Sequence, residues 1–542
     1  MIEVILHHMR SKNLLSLFAA LSLTTAQSMA ATNTSEAVHG MVASVHPIAT
    51  DAGVNILKSG GNAVDAAVAV GLTLGVVDTP NSGIGGGCFM LIHLANGKEY
   101  AIDGREMAPS AAKHDMFIRD GKGDTELSQT GPLASGVPGE VAAFDYALKH
   151  FGKKSLSDVI LPAADVAEKG FIVSRSYSER MKSVSNEMSR FEASKQTFFR
   201  NGAPIQTGEL LKQPDLANTY RQMAQHGAKW FYKGPFAKAA GDWMKINGGL
   251  ITANDFATYK IGIRNTIETT YRGFRVVSFP PPSSGGVHVL EILNILENFD
   301  LKSMDEITRL HVIAESMKLA FADRAYWLGD PDFVNVPKGL IDKTYATNLA
   351  HNISLEHTTP VTGHGQPPGW QSNFFKKHTT HFSVADDQGN WVACTATINT
   401  SFGSKVVIPG TGVVLNNEMD DFSVQPGVPN HFGLIGGEAN SVAPGKRPLS
   451  SMSPTIVLKD GQPIISLGAA GGPKIISAVV QELVAMLDMG ATPAEALVAP
   501  RIHQQWSPDE LLVETAMPIS IQDALAARGH KVKTLGALSS SQ

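Results

Sequence analysis

Polar and apolar side chains alternate with a period of two along Thr379–Val384 and again along Trp391–Asn399. That is the pattern of two half-buried strands. Asp387-Gln388-Gly389 between them predicts a three-residue hairpin loop, with glycine where the backbone must turn left-handed. A hairpin centred on Gln388 sets Thr380 against Ala396, Phe382 against Cys394 and Val384 against Val392 on one apolar face. The other face carries Thr379 opposite Thr397 and His381 opposite Thr395, with Asn399 one step beyond. Opposed β-carbons lie roughly 4.5–5.5 Å apart, within reach for two threonine hydroxyls. A slip of one residue would bury the polar set and expose Phe382, so the pattern specifies its own register. Taken alone, the stretch reads as a common threonine-rich strand pair. The rest of the chain changes that.

Upstream, Thr50 can cap a helix from Asp51 to about Leu57, and Ala63 to Leu74 predicts a buried helix of small residues. Asn81-Ser82-Gly83-Ile84-Gly85-Gly86-Gly87 leads into a strand from Cys88 to His93, its glycines implying close backbone approach. Their spacing is neither the dinucleotide fingerprint nor a Walker loop, which argues against a phosphate role. Arg105 follows a short strand, at a strand end where binding residues often sit. Gly139 to Phe274 reads mostly as amphipathic helices. Pro280 to Gly286 reads as a rigid turn before a helix from about His288 to Asn298, and a further helix covers about Glu306 to Tyr326.

The stretch Thr358–Lys377 is rich in glycine, proline and polar residues, and reads as an exposed segment open to cleavage. Pro426 to Asn440, containing Phe432, reads as a lid-like loop. Strands at Thr455–Leu458 and ending at Leu467 precede Gly471-Gly472-Pro473, which equally suits a helix-entry turn or a pair of converging backbone amides. Apolar positions Ile475, Ile476, Val479, Val480, Leu483, Val484 and Leu487 then predict a core-facing helix. Thr492-Pro493-Ala494-Glu495 is a capping box. Strands and helices come in blocks with few βαβ alternations, which predicts a layered α+β architecture.

At 542 residues and 43% apolar, the chain can bury a large core. Its net charge of −5, with no basic run longer than a pair, argues against nucleic acid or an anionic membrane surface as partner. Cys88 and Cys394 both fall in apolar segments, predicting buried thiols rather than a disulfide, and no metal-type cysteine spacing occurs. His378-x-x-His381 is poor evidence for a metal, and His381 reads as structural. Arg10 and Lys12 ahead of Leu14–Leu21, with Ser28-Met29-Ala30, predict a cleaved signal peptide over 1–30 and export, most simply to a bacterial periplasm. No other stretch reaches the length of a membrane span.

Asn416–Phe422, Pro448–Pro454 and His378-Thr379-Thr380-His381 closely resemble the γ-glutamyltransferase family. So do Ser44-Val45-His46-Pro47, Gly83–Gly87, Arg105–Pro109, Pro281–Gly286 and Ala322-Asp323-Arg324-Ala325, and the likeness runs from about residue 38 to the end. The resemblance implies the N-terminal nucleophile hydrolase fold, a four-layer αββα sandwich with helical additions in the large subunit. It implies a precursor that cuts itself at His378–Thr379 into a large subunit, 31–378, and a small catalytic subunit, 379–542. Thr379 becomes the nucleophile, Thr397 orients its hydroxyl, and Gly471 and Gly472 form the oxyanion hole. Arg105 with Ser450 and Ser451 holds the α-carboxylate of the substrate. Asp421, Glu418 and Asn399 surround its α-ammonium, and Phe432 sits on the lid. No metal or cofactor is implied.

The implied substrates are glutathione and other γ-glutamyl compounds, with water, an amino acid or a dipeptide as acceptor. Two alternatives stay open. A glutaryl or β-lactam acylase on the same fold would lose the ammonium-binding carboxylate and the lid. A non-maturing exported precursor is kept open by the end at Ser539-Ser540-Ser541-Gln542, where the resemblance implies a further stretch and the small subunit reads as C-terminally truncated.

Overall fold

Two antiparallel sheets carry the alternating segments. The computed structural model describes residues 34–368, 380–425, 430, 431, 433, 434 and 437–542. The predicted signal peptide, His378, Thr379 and Phe432 lie outside the described residues. Val38–Gln542 forms one unit.

The first sheet uses β1 (Gly40–Ser44), β2 (Gly87–His93), β3 (Glu99–Gly104) and β4 (Gly262–Arg264). The second begins with β5 (Ile267–Tyr271) and β6 (Phe274–Ser278). The hairpin supplies β7 (Thr380–Asp386) and β8 (Trp391–Thr397) to the first sheet, and β9 (Thr455–Lys459) and β10 (Gln462–Leu467) complete the second. The orders are β1-β7-β8-β2-β3-β4 and β5-β6-β9-β10.

The hairpin register is the expected one. Thr380 pairs with Ala396, His381 with Thr395, Phe382 with Cys394 and Val384 with Val392. The Asp386 amide donates to the Asn390 carbonyl at 3.1 Å, closing a three-residue loop in which Gly389 has φ 91°.

Both faces of the hairpin are buried, not the apolar one alone. Phe382, Val384, Val392, Cys394 and Ala396 pack with Cys88, Met90 and Ile92 of β2 against helix α1 (Pro47–Lys58) and α2 (Ala63–Val77). On the opposite face, Leu91 and Ala393 of the first sheet share a cluster with Val277, Ile456 and Leu458 of the second. The far face of the second sheet, through Val276 and Val457, packs on α3 (Ser284–Leu296), α4 (Glu306–Trp327) and α5 (Lys474–Leu487). Strands covered on both sides need no polar face, which is why β2 is a continuous apolar run. Cys88 and Cys394 are buried free thiols, as expected.

Two helices start earlier than their patterns suggest. α1 begins at Pro47, not Asp51, because proline is preorganised for the first helical position and the His46 ring accepts from the Ile48 amide at 3.3 Å. α3 begins at Ser284, with the Ser283 hydroxyl accepting from the Gly286 amide at 3.1 Å. The glycines read as turn residues lie inside its first turn. A β-carbon on Gly285 would sit 2.2 Å from the Ser451 carbonyl oxygen, and one on Gly286 2.0 Å from that of Phe279. They serve close packing of the helix on its neighbours. Among the described residues no helix is long and apolar enough to cross a membrane.

The glycine run before β2 has the same purpose. A β-carbon on Gly86 would lie 1.8 Å from the Thr397 carbonyl oxygen, a backbone atom held in the sheet. Gly86→Ala is therefore expected to destabilise the protein by roughly 2 kcal/mol or more. A lowered thermal midpoint or loss of soluble protein is the expected result, and an unchanged midpoint would refute the contact.

Candidate active site

β8 delivers Thr397 and then turns sharply. Asn399 adopts φ 73°, a left-handed conformation that asparagine tolerates better than most residues. Its amide donates to the Thr397 Oγ1 at 2.8 Å and its Nδ2 to the Asn417 carbonyl at 2.9 Å. The Asn399 Oδ1 is buried and accepts no hydrogen bond among the described residues. Asn417 in turn holds Thr400 through two contacts, to its amide at 3.0 Å and its hydroxyl at 2.9 Å. The end of the hairpin is thereby fastened to the 3₁₀ turn Glu418–Asp421.

Arg105 reaches the same turn from the end of β3. It is fully buried, together with Glu106, Glu418 and Asp421. Its Nε donates to the Pro448 carbonyl at 3.0 Å and its Nη2 to that of Leu449 at 3.0 Å. The guanidinium is ion-paired with both Glu418 and Asp421, and Glu106 lies 3.5 Å away. Three carboxyl groups cannot all stay ionised around one buried cation. Burial pushes Glu106 up to about 7, with Arg105 opposing the shift. Glu418 is also raised by burial, again against the pull of Arg105. The predicted carboxylate-binding arginine and the predicted ammonium-binding acids thus form one cluster, paired with one another.

Ser450 and Ser451 lie on the adjoining segment. The Ser450 hydroxyl accepts from the Met452 amide at 3.2 Å, and its carbonyl accepts from the Ser284 amide at 2.6 Å. The Ser451 hydroxyl shares a hydrogen bond with that of Ser284 at 3.0 Å and accepts from the Arg324 Nη2 at 3.0 Å. Arg324 is a buried arginine of α4 that was not among the predicted site residues. Burial works against its charge and Asp421 offsets part of that cost. Its motif, Ala322–Ala325, contributed to the resemblance, but no local pattern ties a residue in mid-helix to Ser451.

Gly471 and Gly472 stand at the entry to α5 with φ values of 140° and 71°. Among the described residues neither amide donates a hydrogen bond. Gly471 and Asn399 line one cavity of about 350 Å3, along with Thr400, Lys474, Arg180 and Ser539.

His381 sits on the polar face of the hairpin. It is fully buried, with Nδ1 2.9 Å from the Thr395 hydroxyl and Nε2 3.1 Å from that of Ser383. No group of histidine, cysteine and acidic residues suited to a metal occurs among the described residues.

The model of the gamma-glutamyltranspeptidase family matches residues 49–542. The chain belongs to this family. The glutathione hydrolase proenzyme of Escherichia coli strain K12 is 48% identical over 511 residues, covering 93% of this chain and 88% of that protein. The crystal structure of a cephalosporin acylase from Bacillus halodurans superposes with a TM-score of 0.84 at 30% identity, covering 94% of this chain and 92% of its own. The gamma-glutamyltranspeptidase of Helicobacter pylori gives a TM-score of 0.60 at 41% identity, over 62% of this chain and 98% of its own. This gamma-glutamyltranspeptidase family member therefore has a mixed α/β fold shared with transpeptidases and acylases.

Burial lowers the His381 pKa from 6.5 to about 3. The unfolded chain therefore binds a proton that the folded chain refuses between those values, so this contribution to stability is complete above pH 6.5 and is lost as pH falls towards 3. The stability advantage of wild type over His381→Asn is expected to shrink steadily as pH falls from 6.5 to 4 in denaturant titrations. A constant difference would mean that the folded protein takes up the imidazole proton as readily as the unfolded chain.

Proposed function

We propose that the chain is a self-processing γ-glutamyl enzyme acting on glutathione and related γ-glutamyl compounds. The observation that carries this reading is the buried cluster of Arg105, Glu418 and Asp421 beside Ser451. It offers a fixed cation and fixed acids at one place, complementary to a free amino-acid head group. A substrate would exchange the internal ion pairs for its own, giving its α-carboxylate to Arg105, Ser450 and Ser451 and its α-ammonium to Asp421, Glu418 and the Asn399 Oδ1. Such exchange avoids leaving any buried charge without a partner.

In the precursor, the Thr379 hydroxyl attacks the carbonyl of His378, the C–N bond gives way to an ester, and water cleaves that ester. The α-amine released on Thr379 has an unperturbed pKa of about 7.7–8.0, suited to a general base. In the mature enzyme the Thr379 oxygen attacks the γ-carbonyl and its proton passes through the α-amine to the departing nitrogen, leaving a γ-glutamyl ester. Water resolves the ester to glutamate, or an amino acid or dipeptide takes the acyl group, and the hydroxyl is regenerated. Thr397 orients the nucleophile, and the Gly471 and Gly472 amides stabilise the oxyanion, each such donor being worth roughly 3–4 kcal/mol in the barrier. No metal or cofactor enters these steps.

The apolar clusters on both faces of each sheet support a four-layer αββα sandwich of the N-terminal nucleophile hydrolase type. Removal of residues 1–30, export to the periplasm, a large subunit of 31–378 with a small subunit of 379–542, and a lid bearing Phe432 complete the reading.

Thr379→Ala is expected to remain a single chain on a denaturing gel, whereas wild type gives two fragments with the smaller beginning at Thr379. An uncut wild type would remove the basis for the nucleophile assignment. The likeness to a cephalosporin acylase keeps a glutaryl-cleaving activity in view, and the buried Asp421 favours the glutamyl group. Side by side, wild type should cleave a γ-glutamyl anilide in preference to a glutaryl anilide, and Asp421→Ala should raise KM for the former at least roughly tenfold. Preference for the glutaryl compound, or an unmoved KM, would reverse the assignment.

A further inference from the structure

We propose that the cavity lined by Asn399 and Gly471 seats the leaving and acceptor amine, and that Arg180 and Lys474 bind the carboxylate which that amine carries. The proposal rests on the γ-glutamyl reading and deepens it. Asn399 and Gly471 line this space, whereas Arg105, Glu418, Asp421, Ser450 and Ser451 do not. A γ-carbonyl held between the head-group cluster and Gly471 has this cavity for the part of the substrate beyond its amide. At about 350 Å3 it is in the range of small-ligand sites.

The charge on its walls is one-sided. Arg180 and Lys474 line it, and no carboxylate is among the described lining residues. Lys474, in the first turn of α5, makes no hydrogen bond or ion pair among the described residues, and burial lowers its pKa. An ammonium partly withdrawn from water without an anion is disfavoured, and a bound carboxylate relieves that.

Arg180 comes from the helix Arg175–Ser183 and donates to the Asn81 Oδ1 at 2.7 Å. Asp78 lies behind Asn81, accepting from its Nδ2 at 2.8 Å, and feels Arg180 without pairing closely with it. Arg180 is solvent-exposed, so its share is the smaller and the more sensitive to salt. The cysteinylglycine released from glutathione and amino-acid or dipeptide acceptors all carry a carboxylate. An anilide does not. The cavity thus selects by the charge of the group that leaves or attacks.

The test compares kcat/KM for glutathione and for a γ-glutamyl anilide in wild type, Lys474→Gln, Arg180→Gln and Lys474→Arg. The glutathione-to-anilide ratio is expected to fall roughly three- to tenfold in Lys474→Gln, less in Arg180→Gln, and to be largely retained in Lys474→Arg. With glycylglycine and neutral glycinamide as acceptors, Lys474→Gln should lose its preference for the former. Ratios unchanged in both glutamine variants would overturn the carboxylate site while leaving the γ-glutamyl reading intact. A wild type that turns over neither donor would overturn that reading itself. Should Lys474→Gln fail to fold, the exposed Arg180→Gln carries the test alone.

Discussion

A guanidinium taken wholly out of water dictates much of this structure. Arg105 cannot shed its proton, so its surroundings must supply acceptors on every side. They come from three places far apart in the chain: Glu106 beside it, the turn at Glu418–Asp421, and the carbonyls of Pro448 and Leu449. The end of β3 is thereby tied to the segment that enters β9. Ion pairs of this kind contribute little net stability compared with an apolar core, but removing one partner typically costs about 3–5 kcal/mol. The cluster fixes an arrangement more than it strengthens a fold.

The second constraint is close backbone approach. Gly86 against Thr397, Gly285 against Ser451 and Gly286 against Phe279 let main chains meet where any side chain would keep them apart. Through these contacts the ends of β2 and α3 come up against the hairpin and the Ser450–Ser451 segment. The residues around Arg105 then lie in a dry, closely built volume, while Asn399 and Gly471 face a cavity on one side.

Which parts were legible follows from what a local pattern can encode. The register of β7 and β8 was, because a period of two with a glycine turn allows one pairing, but the burial of His381 was not. The cover on the polar face was not, since β10 and Ser466, which donates to the Ser383 hydroxyl at 2.9 Å, lie far along the chain. The α3 boundary was misplaced because Gly285 and Gly286 look like turn formers until their neighbours are known. The meeting of Arg105 with Glu418 and Asp421 spans more than 300 residues and leaves no periodic trace. It was reachable only through the family motifs. Arg324 lay in a family motif that did not reveal its partner, and Arg180 and Lys474 lay in none, since their surroundings come only from tertiary packing.

The strand orders carry one more consequence. β1, β2 and β6 precede Pro368, while β7, β8 and β9 lie from Thr380 onward. The ladders β1–β7, β8–β2 and β6–β9 each join one part of the chain to the other. A break in the backbone between Pro368 and Thr380 severs none of these. It converts one polypeptide into two dovetailed pieces, neither of which owns a complete sheet. Pulling the two pieces apart would break all three ladders at once.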